Sequence, residues 1–404
     1  MRAITVLVSA CGAPGTAALL RALRENGEGR PVRLVGTDMS ERAVGRLLCD
    51  AFRLVPPGSD PGFADAVLDV CAAEEVDVVL PQSSFDLAGL AGARERFSIP
   101  VLVSSAETIR RSNDKAECYA LLHEIGVPAP AFRRVRGAEA VAEAARELGY
   151  PGRPVCFKPV FGSGSRGFRV LDPKVDRAHQ LLHEIGVPAP EFRRASGTEA
   201  VAEAARELGY PAKPVCFKPV FGSGSRGFRV LDPEVDRAHQ LLHERPGAVA
   251  MRLEEAVELL PAAGGPDLLV MELATGGERT IDGIADGRRI VLGHPKTRES
   301  MRAGLAMYFV TLEDEALMDI AERIVSALEI EHFFNIQLVG EHVIEVNPRI
   351  STIVYQEDLN LPYLGVKRAL GEVTDEELAA LRSRVRPGRT ALRYFDQVEW
   401  DAPI

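Results

Sequence analysis

The sequence predicts an α/β protein, and three observations carry that reading. The first hundred residues alternate short apolar runs with helical stretches, residues 121–180 recur almost unchanged as 181–240, and 333–351 read as two strands with alternating polar and apolar positions. Near-continuous apolar strands joined by helices imply a parallel sheet covered on both faces.

Taken in order, "ITVLVSA" (4–10) reads as a buried strand and "GTAALLRALREN" (15–26) as a helix with apolar spacing of three and four. "VRLVGTD" (32–38) is a second strand, "FADAVLDVCAAEE" a helix, and "VDVVLP" and "PVLVS" (100–104) two further strands. The turn "SACGAPGT" (9–16) has glycines at 12 and 15, short of the three that a dinucleotide fingerprint needs. Two readings stay open for it: a nicotinamide site with Asp38 on the ribose, or a tight turn before an anion-friendly helix N-terminus. In "SNDKAECYALLHEIGVPAP" (112–130), Ser112 or Asn113 is expected to cap a helix that Gly126 and Pro128 end. Lys115 then falls in the first turn, against the helix dipole, which suggests that it faces something anionic.

A chain of 404 residues can hold two or three domains. Apolar residues at 46% and charged residues at 26% are ordinary for a water-soluble protein. A net charge of -10 without a long basic run excludes nucleic-acid binding by bulk charge. Cys11, Cys49, Cys71, Cys118, Cys156 and Cys216 form no CxxC pair and no zinc spacing with histidine, so they read as buried free thiols in a reducing compartment. The opening "MRAITVLVSACGAPG" is broken by glycine too soon for a signal peptide, and no apolar run of about 18 residues follows. The expectation is a cytoplasmic protein without a membrane partner.

The two copies differ at 7 of 60 aligned positions, as at Ala131/Glu191 and Lys174/Glu234. Solenoid repeats keep a pattern while their letters drift, so near identity implies a recent tandem duplication. The word "LLHE" at 121, 181 and 241 marks both ends of the segment, and removing either copy leaves a continuous chain. Each copy reads strand (FRR), helix (AVAEAARELG), strand (VCFKPV), glycine loop and strand (GFRVL). One sheet needs one such set. The reading leans to the first copy, which is contiguous with the Lys115 helix.

Four stretches carry chemistry. Lys158 and Lys218 end apolar strands before the loops "GSGSRG" (162–167, 222–227), whose backbone N–H groups and serine hydroxyls can cradle phosphate; a plain flexible hairpin is the alternative. In "LLVMELATGGERTIDGI" (268–284) a strand precedes Glu278, after which Thr280 and Asp282 share the side opposite Arg279 and Ile281. "GHPKTRESMRAG" (293–304) packs His294, Lys296, Arg298 and Arg302 into a local basic cluster suited to phosphate or carboxylate. In "FFNIQLVGEHVIEVNPRIS" (333–351) the turn at 340–342 separates Gln337 from Glu345 and Asn347, which lie two apart and share a face. A carboxylate beside amide oxygens makes a hard-cation site that also takes phosphate oxygens. Arg349 follows on that face.

The motifs "NDK", "FKPVFGSGSRG", "MELATGGE" and "IEVNPR", in that order, resemble the ATP-grasp superfamily, and most closely the stand-alone carbamoyl-phosphate-synthase-like carboxylate–amine ligases. The resemblance covers residues 1 to about 371, except that the family has the 60-residue segment once. It implies an N-terminal Rossmann-like parallel sheet (1–111) followed by a two-lobed α+β ATP-grasp domain. The small lobe would be 112–267 with both repeats, the large lobe 268–371, and 372–404 a C-terminal helix and strand.

The resemblance further implies an enzyme using ATP and Mg²⁺, with Mn²⁺ as the alternative ion. ATP would contact Lys115, Lys158 or Lys218, the loop residues Ser163, Gly164 and Ser165, then Glu272, Leu273 and Ala274 around the adenine, and Glu278 on the ribose. Gln337, Glu345 and Asn347 would hold the metal; many members have an acid where Gln337 stands. Lys296 would reach the γ-phosphate and Arg349 would steady an acyl-phosphate, with Arg298 beside them among the catalytic cations. The partners would be a small-molecule carboxylate and an amine, and the assembly a homodimer. A nucleotide-binding protein whose catalysis the duplication has impaired is the alternative.

Overall fold

The computed structural model describes residues 2–150, 152–160, 169–171, 206–207, 215–217, 229–231, 250–251, 268–272, 274–302, 305–351, 359–394 and 397–399. They fall into two compact units, one formed by the residues up to 130 together with those from 274 onward, the other by those between. Helices and both parallel and antiparallel sheets make this a mixed α/β protein. No helix among the described residues is long and apolar enough to cross a membrane.

The first unit opens with β1 (Ile4–Val8), α1 (Thr16–Arg24), β2 (Val32–Asp38), α2 (Gly45–Leu48), β3 (Ala51–Leu54), α3 (Phe63–Ala73), β4 (Val78–Leu80) and α4 (Ser84–Gly92). The strands form a parallel sheet in the order β3-β2-β1-β4. Alternation sends Ile4, Val6, Val8, Val78 and Leu80 into one core with α1, and Leu7, Val35 and Val79 into another with α3 and α4. That two-sided burial is why the strands read as unbroken apolar runs. The strand expected at 100–104 reduces to a single bridge, Val79 to Val101. Pro100 has no N–H to give, and the Val103 N–H turns back onto the Val101 carbonyl at 2.8 Å.

Next come α5 (Ala106–Asn113) and α6 (Lys115–Glu124). The cap of α6 is neither Ser112 nor Asn113 but Asp114, whose carboxylate accepts from the Ala116 and Glu117 N–H groups at 2.9 and 3.0 Å. Ser112 belongs to the end of α5, where its hydroxyl donates to the Thr108 carbonyl. Two helices therefore abut where the sequence reading saw one.

The second unit holds β5 (Phe132–Val135), α7 (Ala138–Glu147), β6 (Val155–Pro159), β7 (Arg169–Leu171), β8 (Val215–Phe217), β9 (Arg229–Leu231), β10 (Ala250–Met251) and β11 (Leu268–Glu272). The first copy enters a five-stranded sheet in the order β10-β7-β6-β11-β5. In it β11, which lies beyond the repeat, runs antiparallel to both β5 and β6. Among the described residues, the second copy's β8 and β9 pair only with each other. Val141 and Ala145 of α7, and Leu148 just after it, pack with Val155, Phe157 and Leu171.

The first unit resumes with β12 (Glu278–Asp286), β13 (Ile290–Arg302), β14 (Leu305–Val310), α8 (Glu315–Leu328), β15 (Glu331–Val339), β16 (His342–Asn347), α9 (Leu361–Ala369), α10 (Asp375–Ala380) and β17 (Thr390–Leu392). Its six strands form an antiparallel sheet in the order β16-β15-β12-β13-β14-β17. The closing strand expected in 389–400 is the short β17, paired with β14. α8 lies against β12 and β13 and buries Leu317, Ala321, Ile324, Val325 and Leu328. The Phe334 ring covers Gly283 so closely that a β-carbon there would fall 2.6 Å from it.

Three side-chain bonds tie the N-terminal elements to this sheet. The Thr108 hydroxyl donates to the Leu328 carbonyl at 2.8 Å, the Ser104 hydroxyl to the Glu331 carbonyl at 2.9 Å, and the Tyr119 hydroxyl to the Ile344 carbonyl at 2.7 Å. α6 is thereby held along the edge strand β16.

Candidate active site

Strand alternation stacks the polar residues of β16, β15, β12 and β13 in rows across one sheet face. One row runs Glu345, Gln337, Thr280, Lys296. The next runs Asn347, Asn335, Asp282, His294. Glu278 and Arg298 oppose each other beside them. Arg279, Ile281, Ile336 and Leu338 fall on the other face, as the period of two requires.

Most of these polar groups are buried and satisfy one another. Lys296 is 1% exposed, its ammonium 2.7 Å from Asp282 Oδ2 and 5.1 Å from the centre of the Phe309 ring. Burial alone would raise the Asp282 carboxyl; the Lys296 ammonium, with smaller help from His294 and the Asn335 amide, outweighs it and holds the acid below its usual range. Burial, reinforced by the Lys296 charge and partly offset by Asp282, pushes His294 down to about 3, so this imidazole is neutral at physiological pH. Lys296, given a reach to the γ-phosphate in the sequence reading, is thus placed in a sealed ion pair.

Asn335 links the rows. Its Nδ2 donates to Thr280 Oγ1 at 2.6 Å and to Asp282 Oδ1 at 2.7 Å. Its Oδ1 accepts from Gln337 Nε2 at 2.8 Å and from Asn347 Nδ2 at 3.3 Å. The Gln337 oxygen accepts from the Arg298 guanidinium, which also lies 3.4 Å from Glu278. The Asn347 oxygen accepts from Arg349, whose Nε donates to Ser84 Oγ at 3.0 Å. Arg298, Arg349, Gln337, Glu345 and Asn347 therefore come together; Glu278 joins through Arg298.

Lys115 and Glu345 lie on the wall of a cavity of about 200 Å³ lined also by Ser84, Ser112, Tyr119 and Asn347. Burial lowers the Lys115 ammonium from its ordinary range, while the Glu345 charge supports it. The anionic neighbour that its position on α6 implies is thus Glu345. The other two sequence readings fare differently. Asp38, the ribose acid of the nicotinamide reading, accepts from the Gly12 N–H at 2.7 Å and the Ser40 N–H at 2.9 Å. Lys158 is on β6 and half-buried, and Ala274 precedes β12. Lys218, Ser163, Gly164, Ser165, Leu273 and the Glu272 side chain lie outside the described residues, as does that of Arg302.

Among the described residues no three His, Cys, Asp or Glu side chains are grouped to hold a metal. A metal here would rely on the Glu345 carboxylate and the amide oxygens of Gln337 and Asn347. Those three oxygens fit Mg²⁺, which takes few protein ligands and completes its shell with water and phosphate. Both amides turn their NH₂ groups to Asn335, so their oxygens point elsewhere, and each oxygen has a second lone pair beyond its arginine.

The segment bearing this face also matches a known family. Residues 265–389 match the family described as ATP-grasp in the biosynthetic pathway with Ter operon, and residues 6–102 the PylC-like N-terminal domain. Residues 265–389 are thus ATP-grasp in family. Solved structures share its fold at low identity. The biotin carboxylase–beta-gamma-ATP complex from Campylobacter jejuni is 16% identical, with a TM-score of 0.54 over 92% of this chain and 72% of that one. The L-amino acid ligase from Bacillus licheniformis is 16% identical, with a TM-score of 0.52 over 96% and 79%. The N5-carboxyaminoimidazole synthetase from Staphylococcus aureus complexed with ADP is 11% identical, with a TM-score of 0.52 over 96% and 80%.

Within this site, Asn335, Ser84 and the Asp282–Lys296 pairing were missed by sequence reasoning. Asn335 was within reach of it, because it lies two residues before Gln337 and so shares that residue's face. Ser84 carried no comparable signal, since its contact with Arg349 spans 265 residues.

Proposed function

We propose that the protein is an ATP-dependent ligase that activates a substrate carboxylate as an acyl-phosphate and joins it to an amine, releasing ADP and phosphate. The observation that carries this reading is the gathering of Glu345, Gln337 and Asn347 on adjacent strands, with Lys115 across a cavity from Glu345 and Arg349 against Asn347. The ATP-grasp match over the same segment supports it. So do its fold neighbours, which include ATP and ADP complexes and an amino acid ligase.

In the proposed reaction a carboxylate oxygen attacks the γ-phosphorus in line, and the bond to the β-phosphate oxygen breaks as ADP leaves. Glu345, Gln337 and Asn347 would hold Mg²⁺, which would supply charge neutralisation on the nucleotide phosphates. Lys115 binds phosphate, and Lys158 of the first copy does the same. Arg349, fixed by Ser84, holds the acyl-phosphate oxygens while the amine attacks the acyl carbon and phosphate departs. Glu278 takes the ribose hydroxyls. Lys296 supports the site from below as the partner of Asp282, rather than as a phosphate ligand. A cytoplasmic setting belongs to the proposal, because ATP is the substrate.

The reading of a binding protein with impaired catalysis rests on the duplication. The sheet of the second unit argues against it, because the first copy's strands already pair with β11 and β10. The test is ADP release from ATP and Mg²⁺ across a panel of small carboxylic and amino acids. Acid- and amine-dependent ADP release with a matching amide product is expected. Tight ADP binding with no turnover across the panel would move the protein to the binding class.

A further inference from the structure

We infer that Asn335 is a positioning residue that locks two candidate metal ligands, Gln337 and Asn347, with their amide oxygens turned to the metal, and that the buried Asp282–Lys296 pair is its anchor. The inference rests on the reading of Gln337, Glu345 and Asn347 as metal ligands.

A terminal amide can turn by about 180° with little change of shape, exchanging its oxygen for an NH₂ that cannot hold a cation. A site with two amide ligands therefore has four orientations, of which one presents both oxygens. The hydrogen bonds remove that ambiguity in sequence. The Thr280 hydroxyl donates to the Ile336 carbonyl at 3.0 Å, so toward Asn335 it can only accept. Lys296 binds Asp282 Oδ2, which leaves Asp282 Oδ1 as a second acceptor facing Asn335. The Asn335 NH₂ must point at these two acceptors, because reversal would set oxygen against oxygen twice. Its own oxygen then faces β16 and the end of β15, where Gln337 and Asn347 can meet it only through their NH₂ groups. One carboxylate, fixed by one ammonium, so orients three amides.

The test uses the full-length chain, with Mn²⁺ and ADP as probes. Mn²⁺ binding in the presence of ADP is followed by loss of the free-ion EPR signal, and ADP binding in excess chelator by calorimetry. Asn335→Leu is expected to weaken Mn²⁺ binding about 10–100-fold, the range for loss of a group that orients metal ligands, while metal-free ADP affinity holds within about 3-fold. Asn335→Asp sets two carboxylates together and should also weaken Mn²⁺. The exchanged pair Asp282→Asn with Asn335→Asp removes one of the two facing carboxylates, reverses the donor between these positions and keeps an acceptor toward Gln337 and Asn347, so it should recover part of the affinity. If Asn335→Leu does not fold, the Asn335→Asp single variant against the exchanged pair carries the comparison. Unchanged Mn²⁺ affinity in the variants, or equal loss of ADP binding with and without metal, overturns the positioning role. A wild-type chain that binds no Mn²⁺ with ADP overturns the metal-ligand reading itself.

Discussion

Lys296 and Asp282 form an ion pair of 2.7 Å with both side chains 2% exposed, joining the two rows that hold the candidate metal ligands. Breaking a buried pair from one side strands a charge, which typically costs about 3–5 kcal/mol. Lys296→Met is therefore expected to lower unfolding free energy by about that much in urea titration. Replacing both partners, as Asp282→Leu with Lys296→Met, should recover a good part, since no lone charge is left inside. A loss below about 1 kcal/mol in the single variant would show that Asp282 has another counter-charge.

Glu345 is the single carboxylate among the three candidate metal ligands. Glu345→Gln keeps its shape and removes the negative charge that both the cation and Lys115 answer to. The loss in kcat/KM for ADP release should exceed about 100-fold, because even groups that only orient ligands cost 10–100-fold. Turnover within about 3-fold of the wild type would take Glu345 out of the metal site.

The sequence was most legible where burial leaves a simple signature. β1 and β2 stood out because both faces are covered, and β16 because Glu345 and Asn347 alternate with buried Val346 and Val343. The antiparallel sheet's polar face was legible strand by strand as Thr280/Asp282, Lys296/Arg298 and Gln337. Its pairing was not, because cross-strand register depends on turns and a bulge between Gln337 and Leu338 that no single strand records. The cap of α6 was missed by one or two residues because Ser112, Asn113 and Asp114 are all good caps. Only the arrival of α5 from the other side selects Asp114. β3 was missed because a four-residue edge strand with two exposed positions carries almost no apolar signal.

The two repeat copies give identical letters different surroundings. Lys158 is on β6, which pairs with β11 and β7 in the five-stranded sheet, and the matching strand β8 of the second copy pairs with β9. The proposed phosphate contact therefore falls to Lys158. Lys158→Ala is expected to reduce kcat/KM for ADP release on the order of 100-fold, as for loss of one well-placed charge donor. Lys218→Ala should stay within about 3-fold. Equal small losses from both would count against a single nucleotide site fed by the first copy.

Thiol chemistry should be uneven. The Cys11 thiol donates to the Val8 carbonyl at 3.1 Å, and its interaction with the neighbouring Cys49, together with burial, raises Cys11 well above its ordinary range. The interaction with Cys11, aided by the Arg24 charge against the opposing effect of burial, lowers Cys49. Burial pushes Cys71 up to about 12, and Cys156 likewise to about 12 against the opposing Lys158 charge. Since the thiolate is the nucleophile, iodoacetamide at neutral pH should label Cys49 ahead of Cys11, Cys71 and Cys156 in peptide mapping by mass spectrometry. Cys11→Ser, a poorer fit for the sulfur contact, should slow that labelling. Equal rates at Cys49 and Cys71 would contradict the pairing.

Asp86 makes a pH prediction of definite sign. Burial, assisted by the Asp38 charge and opposed by the Ser9 hydroxyl, which donates to Asp86 at 2.7 Å, raises its carboxyl to about 6. In the unfolded chain the group ionises near about 3.9. Between those values the folded protein holds a proton that the unfolded chain has released, so on this account stability falls as pH rises from about 4 to about 6, and the full cost stands above it. The difference is about 3 kcal/mol at pH 7. Asp86→Asn keeps an acceptor for Ser9 and cannot ionise. Urea midpoints of the two proteins should therefore coincide near pH 4, separate through pH 6 with the variant the more stable, and run parallel above it. Midpoints that stay together from pH 4 to pH 8 would mean that Asp86 ionises as readily in the fold as in the open chain.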